Sequence, residues 1–432
     1  MSRRGWRAFP AFVLLTVMLS AVVSWTALAT QAKVVHVVAN HAEPFLEFLN
    51  ERKAVFEAEN PGVEVEILYQ PADYVTKVQL MIAGGIPVDV MDSTHSFMVF
   101  SFHDTLADLM PYFRAANYNL DRDILPFAKP VMMADGRLLG IPSQVYAPVP
   151  AYNRSYFEEV GVAPLRTLGN EWTWDWLRAN GARLTKDVDG DGVADTYAVS
   201  FSSGITRVST VVHQAGGSLF DSYIHPRRAL LLTEPVRTGL GFFAELFERG
   251  VATLQNTANF FGQRQSAIAL HVGASDLRFT ENTPDEFEFV AHPRGPVRAG
   301  GMIYFGPFHV PAASTQQEWA FRWIAFLALN EESQIRMMQL TGRIPGHPAT
   351  LRRLDAYMGT YDPYMRSCIL QIRDACTHAD SYPHTLTEAE GAIGRVFNTA
   401  YNNVLRGVTP LETFLETVQP LIQMELDKLF AQ

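Results

Sequence analysis

The chain has 432 residues, of which 48% are hydrophobic and 19% are charged, a composition typical of a folded globular protein. A chain of this length predicts about two or three domains. The net charge of −10, with no run of five or more basic residues, argues against nucleic acid and anionic lipid as partners.

The N-terminus has the three parts of a secretory signal peptide. Arg3, Arg4 and Arg7 precede an apolar run from Phe9 to Leu28, and small residues in an A-x-A pattern follow. The sequence therefore predicts a cleavable signal peptide over residues 1–32, exported by the general secretory route. An uncleaved membrane anchor is the alternative, and the A-x-A pattern favours cleavage.

No cysteine lies directly after the apolar run, where a lipid anchor would be attached. The sequence therefore predicts a protein released into the periplasm without a lipid anchor. Loss of three arginines with the signal peptide takes the net charge from −10 to −13. Cys368 and Cys376 lie eight residues apart in an exported chain, which favours a disulfide over two free thiols.

The mature chain begins with a β-α-β pattern. Residues 33–39 read as a buried strand, about 45–59 as a helix and 63–69 as a second strand, which predicts a parallel pair. A helix over 73–83 and a strand over 87–91 follow. Ligands gather at the carboxyl ends of strands in open α/β sheets. The loops Asn40–Glu43 and Asp92–Ser96 are both predicted there.

The stretch from Asp135 to Phe157 predicts a chain crossing between two bodies. It starts with an Asp-Gly turn and contains Pro142, Pro148 and Pro150, each of which excludes a helix interior and favours extended backbone. An ordinary edge strand with prolines is the alternative interpretation.

The crossing stretch carries motifs of a known family. Three groups resemble its first interlobe crossing: Gly136-Arg137-Leu138, Gly140-Ile141-Pro142 and Tyr152-Asn153-Arg154. By these motifs the chain resembles the family 1 extracellular solute-binding proteins, the sugar-binding subunits of ABC importers, to which maltose-binding protein belongs. Asp89, the helix start at Trp172–Leu177 and the run Thr341–Pro345 add to the resemblance, which covers nearly all of the mature chain.

The resemblance implies an α/β, two-lobed periplasmic-binding-protein fold, type II-like, with a ligand cleft between lobes joined by crossing strands. It implies an N-terminal lobe of residues 33–142 and 306–345 and a C-terminal lobe of 143–305 and 346–432. A monomer of this kind binds a small solute, closes on it and delivers it to membrane permease subunits of an ABC importer.

The resemblance also implies a set of ligand contacts, drawn from loops after strands, the crossings and the end of a C-terminal helix. The candidates are Asn40, His41, Glu43, Ser93, His95, Tyr146, Tyr152, Ser275, Asp276, Gly301, Tyr304 and Arg343. Tyr146 and Tyr152 are the expected aromatic contacts. Stacking tryptophans that many relatives carry are missing here, so the sequence names no particular sugar.

The segment Asp187–Asp195 fits the first part of an EF-hand calcium loop. The candidate ligands are Asp187, Asp189, Asp191, Val193 and Asp195, with Gly192 at the sharp turn. The twelfth position, normally glutamate, is Ala198. A structural calcium ion and a solvated turn therefore both stay open, and no cofactor is required.

Two further interpretations of function stay open. The cleft would bind a polyol or a glycerophosphodiester-type solute if cations such as Arg343 and His95 face inward. A secreted carbohydrate hydrolase would need two carboxylates that face one another. The sequence contains no phosphate-binding glycine loop, nucleophile elbow or zinc motif, so we expect binding without catalysis.

Overall fold

The computed structural model describes residues 32–39, 43–273, 276, 279–280 and 283–431. Its strands are β1 (Ala32–Val38), β2 (Val63–Tyr69), β3 (Val90–Asp92), β4 (Met133–Ala134), β5 (Arg137–Leu138), β6 (Ile141–Tyr146), β7 (Val149–Asn153), β8 (Tyr197–Phe201), β9 (Ala252–Leu254), β10 (Ser266–Val272), β11 (Phe287–Phe289), β12 (Met302–His309), β13 (Ile344–Pro345) and β14 (Tyr382–Pro383).

The α-helices follow the strands closely in sequence. They are α1 (Glu43–Glu59), α2 (Tyr74–Ala83), α3 (Thr94–Phe102), α4 (Met110–Ala115), α5 (Leu120–Asp123), α6 (Lys129–Met132), α7 (Arg154–Glu159), α8 (Trp174–Leu184), α9 (Ile205–Gln214), α10 (Glu234–Glu248), α11 (Thr257–Gln263), α12 (Gln317–Ala328), α13 (Glu331–Thr341), α14 (Pro348–Arg352), α15 (Pro363–Thr377), α16 (Glu390–Leu405) and α17 (Leu411–Phe430). Short 3-10 turns cover Pro126–Ala128, Leu165–Thr167, Gly169–Glu171 and Leu354–Thr360.

The first sheet has the strand order β13-β6-β12-β3-β1-β2, with β14 added beside β12. β1 is parallel to both β2 and β3, which confirms the predicted β-α-β start. Asp89 holds this region together, because its carboxylate accepts hydrogen bonds from Val35 N at 2.8 Å and Ser314 Oγ at 2.6 Å. The aspartate of the family motif therefore has a structural role inside the lobe.

The second sheet has the order β11-β7-β10-β8-β9, and a short hairpin of β4 and β5 precedes the crossing. β6 belongs to the first sheet and β7 to the second, so the chain passes between the lobes at Ala147 and Pro148. The predicted extended crossing is confirmed. The antiparallel pairing of β12 with β6 brings a second crossing beside the first.

Buried apolar side chains form two groups. The first core surrounds the first sheet and extends to β7, β10 and β11 of the second sheet, and the second core fills the rest of the second lobe. Of the three tryptophans near the start of α8, Trp172 and Trp174 are buried in the second core and Trp176 packs against it. The Trp174 ring stacks on Phe242 at 4.3 Å. Thr173 is the N-cap of α8, since its Oγ1 accepts from Trp176 N at 3.2 Å.

The segment between Leu351 and Cys376 packs differently from its assignment to the second lobe. Its buried side chains belong to the first core, and α15 contacts β13 of the first sheet as well as β7 and β11 of the second. An amphipathic helix pattern gives the buried face but not the sheet that this face meets.

The predicted disulfide is wrong. Cys368 and Cys376 are free thiols buried in the same helix, α15. A rise of about 1.5 Å per residue separates two Cα atoms eight residues apart by roughly 12 Å, and a disulfide needs less than about 7 Å. Burial also raises the pKa of both thiols.

Within the described part of the chain, no helix is sufficiently long and apolar to cross a lipid bilayer. The predicted signal peptide lies outside the described residues except for Ala32, which is already the first residue of β1. Export by a signal peptide stays a prediction.

Candidate ligand-binding cleft

A cleft of about 1700 Å³ lies between the two sheets. The first lobe contributes the carboxyl ends of β1 and β3 and the start of α3, and the second contributes the start of α9 and one face of α16. The end of β6 and the middle of β12 form its floor. This is where the strand-end rule for open α/β sheets places a ligand.

Tyr146 and Tyr304 are the central side chains of the floor. They are directly opposite each other in the β6–β12 register, and their ring centroids are 5.9 Å apart. Arg207 from α9 places its guanidinium 5.8 Å from the Tyr146 ring and 5.0 Å from the Tyr304 ring, within cation–π range. Burial raises the pKa of Tyr146, and the nearby Arg207 charge partly opposes that shift.

A glycine after β10 makes room for the Tyr146 ring. A Cβ atom added to Gly273 would lie 2.3 Å from the Tyr146 hydroxyl oxygen, a severe clash. Asp276, a predicted contact, is close by and accepts a hydrogen bond from Gly273 N at 2.9 Å. It does not line the cleft, so its carboxylate supports the loop under Tyr146.

Neutral histidines surround Arg207. His384 stacks on Tyr304 with ring centroids 4.5 Å apart, and burial lowers its pKa to about 3, with the Arg207 charge acting in the same direction. Burial also lowers the pKa of His292 to about 4 and that of His271 well below its usual value. His292 Nε2 donates to the carbonyl of Pro148 at 2.9 Å, which anchors the crossing peptide.

Ser93, His95 and Arg343 line the first-lobe wall, as the sequence analysis expects. The region Asp92–Ser96 is the end of β3 and the start of α3 rather than a loop, and Ser93 Oγ caps that helix by accepting from His95 N at 3.1 Å. The Arg343 guanidinium lies 4.1 Å from the Phe45 ring centroid. Burial lowers the pKa of Arg343, and the carboxylate of Asp92 opposes this shift.

Most residues of the second-lobe wall were not predicted from the sequence. Asn398 accepts a hydrogen bond from Ile205 N at 2.9 Å and so fixes the start of α9 beside the cleft. Glu388, Glu390 and Arg395 lie on the same wall. The residues at 391, 394, 395 and 398 share one helical face, a spacing that the sequence contains. Nothing in the sequence says that this face meets the cleft.

Besides Asp276, three of the predicted contacts that the structure describes do not line the cleft. Tyr152 is fully buried in the second core, where its hydroxyl donates to Glu288 and its ring packs on Phe157. Gly301 is buried against His292, whose Cδ2 would be 2.6 Å from an added Cβ atom. Glu43 is an exposed residue in the first turn of α1.

Asn40, His41 and Ser275 lie outside the described residues, so their assignments stay predictions. The possible calcium loop is described. Ligand oxygens of Asp187, Asp189 and Asp195 lie within 4.8 Å of one another on the protein surface. Asp191 is not part of this group, and its carboxylate accepts a hydrogen bond from Val193 N at 2.8 Å. Ala198 lies inside β8. Calcium binding there stays a prediction.

The cleft arrangement can be compared with known proteins. A family model described as bacterial extracellular solute-binding protein matches residues 51–352, more than half of the chain. The chain belongs to this family. Its members are binding proteins that work outside the cytoplasm, in the periplasm or in extracellular space. Among curated proteins, none matches the sequence significantly.

Solved structures confirm the two-lobed fold of this solute-binding protein. The sugar-binding protein MalE from the phytopathogen Xanthomonas citri has a TM-score of 0.74 at 17% identity, covering 91% of this chain and 98% of that one. The cyclic alpha-maltosyl-1,6-maltose binding protein from Arthrobacter globiformis also reaches 0.74 at 17% identity, with 92% and 99% covered. An ABC substrate-binding protein from Listeria monocytogenes in complex with cycloalternan scores 0.68 at 19% identity, with 92% and 99% covered.

Proposed function

We propose that this solute-binding protein captures a carbohydrate in the cleft, by closure of the lobes, and delivers it to an ABC importer. The observation that carries the proposal is the partly buried pair Tyr146 and Tyr304 on the cleft floor. Aromatic rings pack on the apolar faces of sugars, while the surrounding polar side chains can hydrogen-bond their hydroxyls.

The size of the cleft supports a ligand larger than one sugar ring. Pockets for small ligands usually enclose about 300–1,000 Å³, and this cleft encloses about 1700 Å³. We infer that it accepts an oligosaccharide, or a smaller sugar after closure. The similar structures are named as a sugar-binding protein, a cyclic alpha-maltosyl-1,6-maltose binding protein and a substrate-binding protein in complex with cycloalternan.

Binding without catalysis fits the placement of the acidic side chains. Glu388 and Glu390 are on the same wall, two residues apart. On the opposite wall, Asp92 is buried and its carboxylate accepts a hydrogen bond from Ala39 N at 2.9 Å, while Asp73 stands at the N-terminus of α2. A secreted hydrolase is therefore the less favoured function. It predicts that an incubated oligosaccharide is cleaved, and we expect it to be recovered intact.

A polyol or glycerophosphodiester-type solute is the second candidate. The observation that favours it is a pair of guanidinium groups that line the cleft, Arg343 on the first-lobe wall and Arg395 on the second-lobe wall. A guanidinium binds phosphate and carboxylate groups in bidentate geometry.

The remaining parts of the proposal concern location and partners. We infer a monomer that is released to the periplasm by a cleavable signal peptide without a lipid anchor, and whose closed form binds membrane permease subunits. Radiolabelled uptake in a strain with and without this protein, with the candidate sugar as substrate, tests the partnership. Equal uptake in the two strains would contradict it.

A thermal-shift screen of the exported protein against sugars, polyols and phosphodiesters tests the function. A ligand at 100 times its Kd stabilises the folded state by about 2.7 kcal/mol, a readily measured rise in Tm. We expect sugars to raise the Tm and to be recovered unchanged. A shift with phosphodiesters alone would support the second candidate, and reaction products would support the hydrolase.

A further inference from the structure

A small chamber lies behind the second-lobe wall of the cleft, beside the first turns of α9. Its volume is about 40 Å³, and it shares Ile205, Thr206, Thr387 and Glu390 with the cleft. These shared residues form the neck between the two spaces. One water needs roughly 10–15 Å³ of such volume, so the chamber has room for a group of about two to three heavy atoms.

The inner part of the chamber is lined mostly by apolar atoms. Ser209 Oγ donates to the Thr206 carbonyl at 2.7 Å and lies 2.7 Å from the Tyr382 hydroxyl. Since the Ser209 hydrogen is used, Tyr382 donates to Ser209 in this arrangement. Met302 and Ile393 add apolar surface. The inner wall therefore favours carbon over an additional charged group.

At the neck, by contrast, a carboxylate has no hydrogen-bond donor among the described residues. Glu390 is partly buried, and its carboxylate forms no hydrogen bond or ion pair with any described residue. Burial raises the pKa of Glu390, and the electrostatic influence of His95 partly opposes that shift. A half-buried carboxylate without a donor is costly, and a ligand hydroxyl would remove the cost.

We propose that this chamber is a subsite of the cleft that receives one hydroxymethyl group of the captured carbohydrate, whose hydroxyl donates to Glu390. The group has the size of the chamber. Its carbon contacts the apolar lining while its hydroxyl turns towards Glu390, which lines both the cleft and the chamber. This inference rests on the proposed carbohydrate binding, and names which substituent of the sugar is selected.

Glu388 provides a matched control. It lies two residues away, is also partly buried and lines the same cleft wall, but does not line the chamber. Its carboxylate has a neighbour, because His103 Nε2 lies 3.6 Å from it. Both Glu390→Gln and Glu388→Gln therefore remove one negative charge from the same wall. Only Glu390→Gln changes a residue that lines the chamber.

The test measures affinity by calorimetry for D-glucose, D-galactose, D-mannose and maltotriose, each beside its 6-deoxy analogue. In the unmodified protein, the hydroxymethyl sugar should bind about 10-fold or more tightly than the 6-deoxy one, the range of a hydrogen bond to a charged group. Glu390→Gln should reduce this ratio to about 3-fold or less, because a neutral amide is the weaker acceptor. Glu388→Gln should keep the ratio of the unmodified protein.

A second variant tests the space instead of the hydrogen bond. Thr385 lines the chamber and its side chain makes no hydrogen bond with described residues, so Thr385→Leu fills the space without orphaning a partner. It should weaken binding of D-glucose by about 10-fold or more while leaving D-xylose, which lacks the hydroxymethyl group, within about 2-fold. Far-ultraviolet circular dichroism and the Tm verify that each variant is folded.

The outcomes separate the two proposals. The ratio of affinities between a sugar and its 6-deoxy analogue can be the same in the unmodified protein and in Glu390→Gln. That result overturns the chamber subsite and leaves carbohydrate capture standing. Equal losses of D-glucose and D-xylose in Thr385→Leu have the same meaning. If no sugar of the thermal-shift screen binds to the unmodified protein, carbohydrate capture and the subsite are both overturned.

Discussion

Tyr146 and Tyr152 lie six residues apart in the same crossing segment but in different environments. Tyr146 ends β6 at the cleft floor, partly exposed beside Tyr304 and Arg207. Tyr152, in β7, is fully buried in the second core, with its hydroxyl bonded to Glu288. Two tyrosines with equal sequence signals are thus divided between binding and stability by which sheet their strand joins.

The largest expected effect is on the buried side of this comparison. Tyr152→Ala removes a fully buried ring from the second core, where it packs on Phe157. Truncation of a large buried aromatic side chain lowers the free energy of unfolding by about 3–5 kcal/mol. Urea unfolding followed by circular dichroism measures the loss. A loss below about 1 kcal/mol would show that the ring is not a core residue.

Tyr146→Ala should affect ligand binding more than stability. Loss of a ring from the cleft floor should weaken sugar binding by about 10-fold or more, equivalent to about 1.4 kcal/mol. The unfolding midpoint should change much less than in Tyr152→Ala. Calorimetry with the sugar found in the screen measures the affinity, and unchanged affinity would remove Tyr146 from the site.

The pH dependence of stability tests the support beneath the crossing. His292 has its pKa lowered to about 4 by burial, while an unfolded histidine titrates near 6.5. Below pH 6.5 the unfolded chain takes up a proton that the folded protein does not, so this part of the stability is complete above pH 6.5 and declines as the pH falls towards 4.

The contribution of one such histidine is about 1.4 kcal/mol per pH unit in that window. His292→Gln should reduce the slope of the free energy of unfolding against pH, between pH 6.5 and 5, by about 1.4 kcal/mol per pH unit, because glutamine does not titrate. The exposed His378→Gln serves as the control variant. Parallel slopes for His292→Gln and the unmodified protein would contradict the assignment of His292 as a neutral anchor.

The smallest expected effects come from removing single hydroxyls. Tyr152→Phe deletes the hydrogen bond to Glu288. The Glu288 carboxylate keeps its ion pair with the Arg166 guanidinium at 3.3 Å, so we expect the free energy of unfolding to fall by only about 1 kcal/mol. Tyr146→Phe should leave the unfolding free energy unchanged within about 0.5 kcal/mol. Equal losses in the two variants would remove the difference between the tyrosines.

Local signals account for the parts of the fold that could be predicted. β-branched residues indicate β1, turn residues delimit α1 and β2, and Thr173 caps α8 as its sequence position indicates. The prolines of the crossing exclude helix whatever surrounds them. These features depend on neighbours in the chain, which a sequence displays directly.

The cleft could be predicted only in part. Ser93, His95, Tyr146, Tyr304 and Arg343 line it, because family motifs mark strand ends and crossings. The second-lobe wall was not predictable, since Glu390, Arg395 and Asn398 belong to a helix whose periodicity gives a face but not what that face meets. The predicted disulfide between Cys368 and Cys376 was wrong for a similar reason, because their spacing does not reveal that both lie in one helix.

The sequence by itself determined the strands and helices, the extended crossing and the family, because propensities, proline geometry and short motifs are properties of adjacent residues. The tertiary structure alone decided which residues meet across the cleft. The placement of Arg207 beside two tyrosines, the burial of Tyr152 and the chamber behind Glu390 depend on contacts between segments far apart in the chain. Such contacts follow from how the sheets and helices pack, which local sequence patterns leave open.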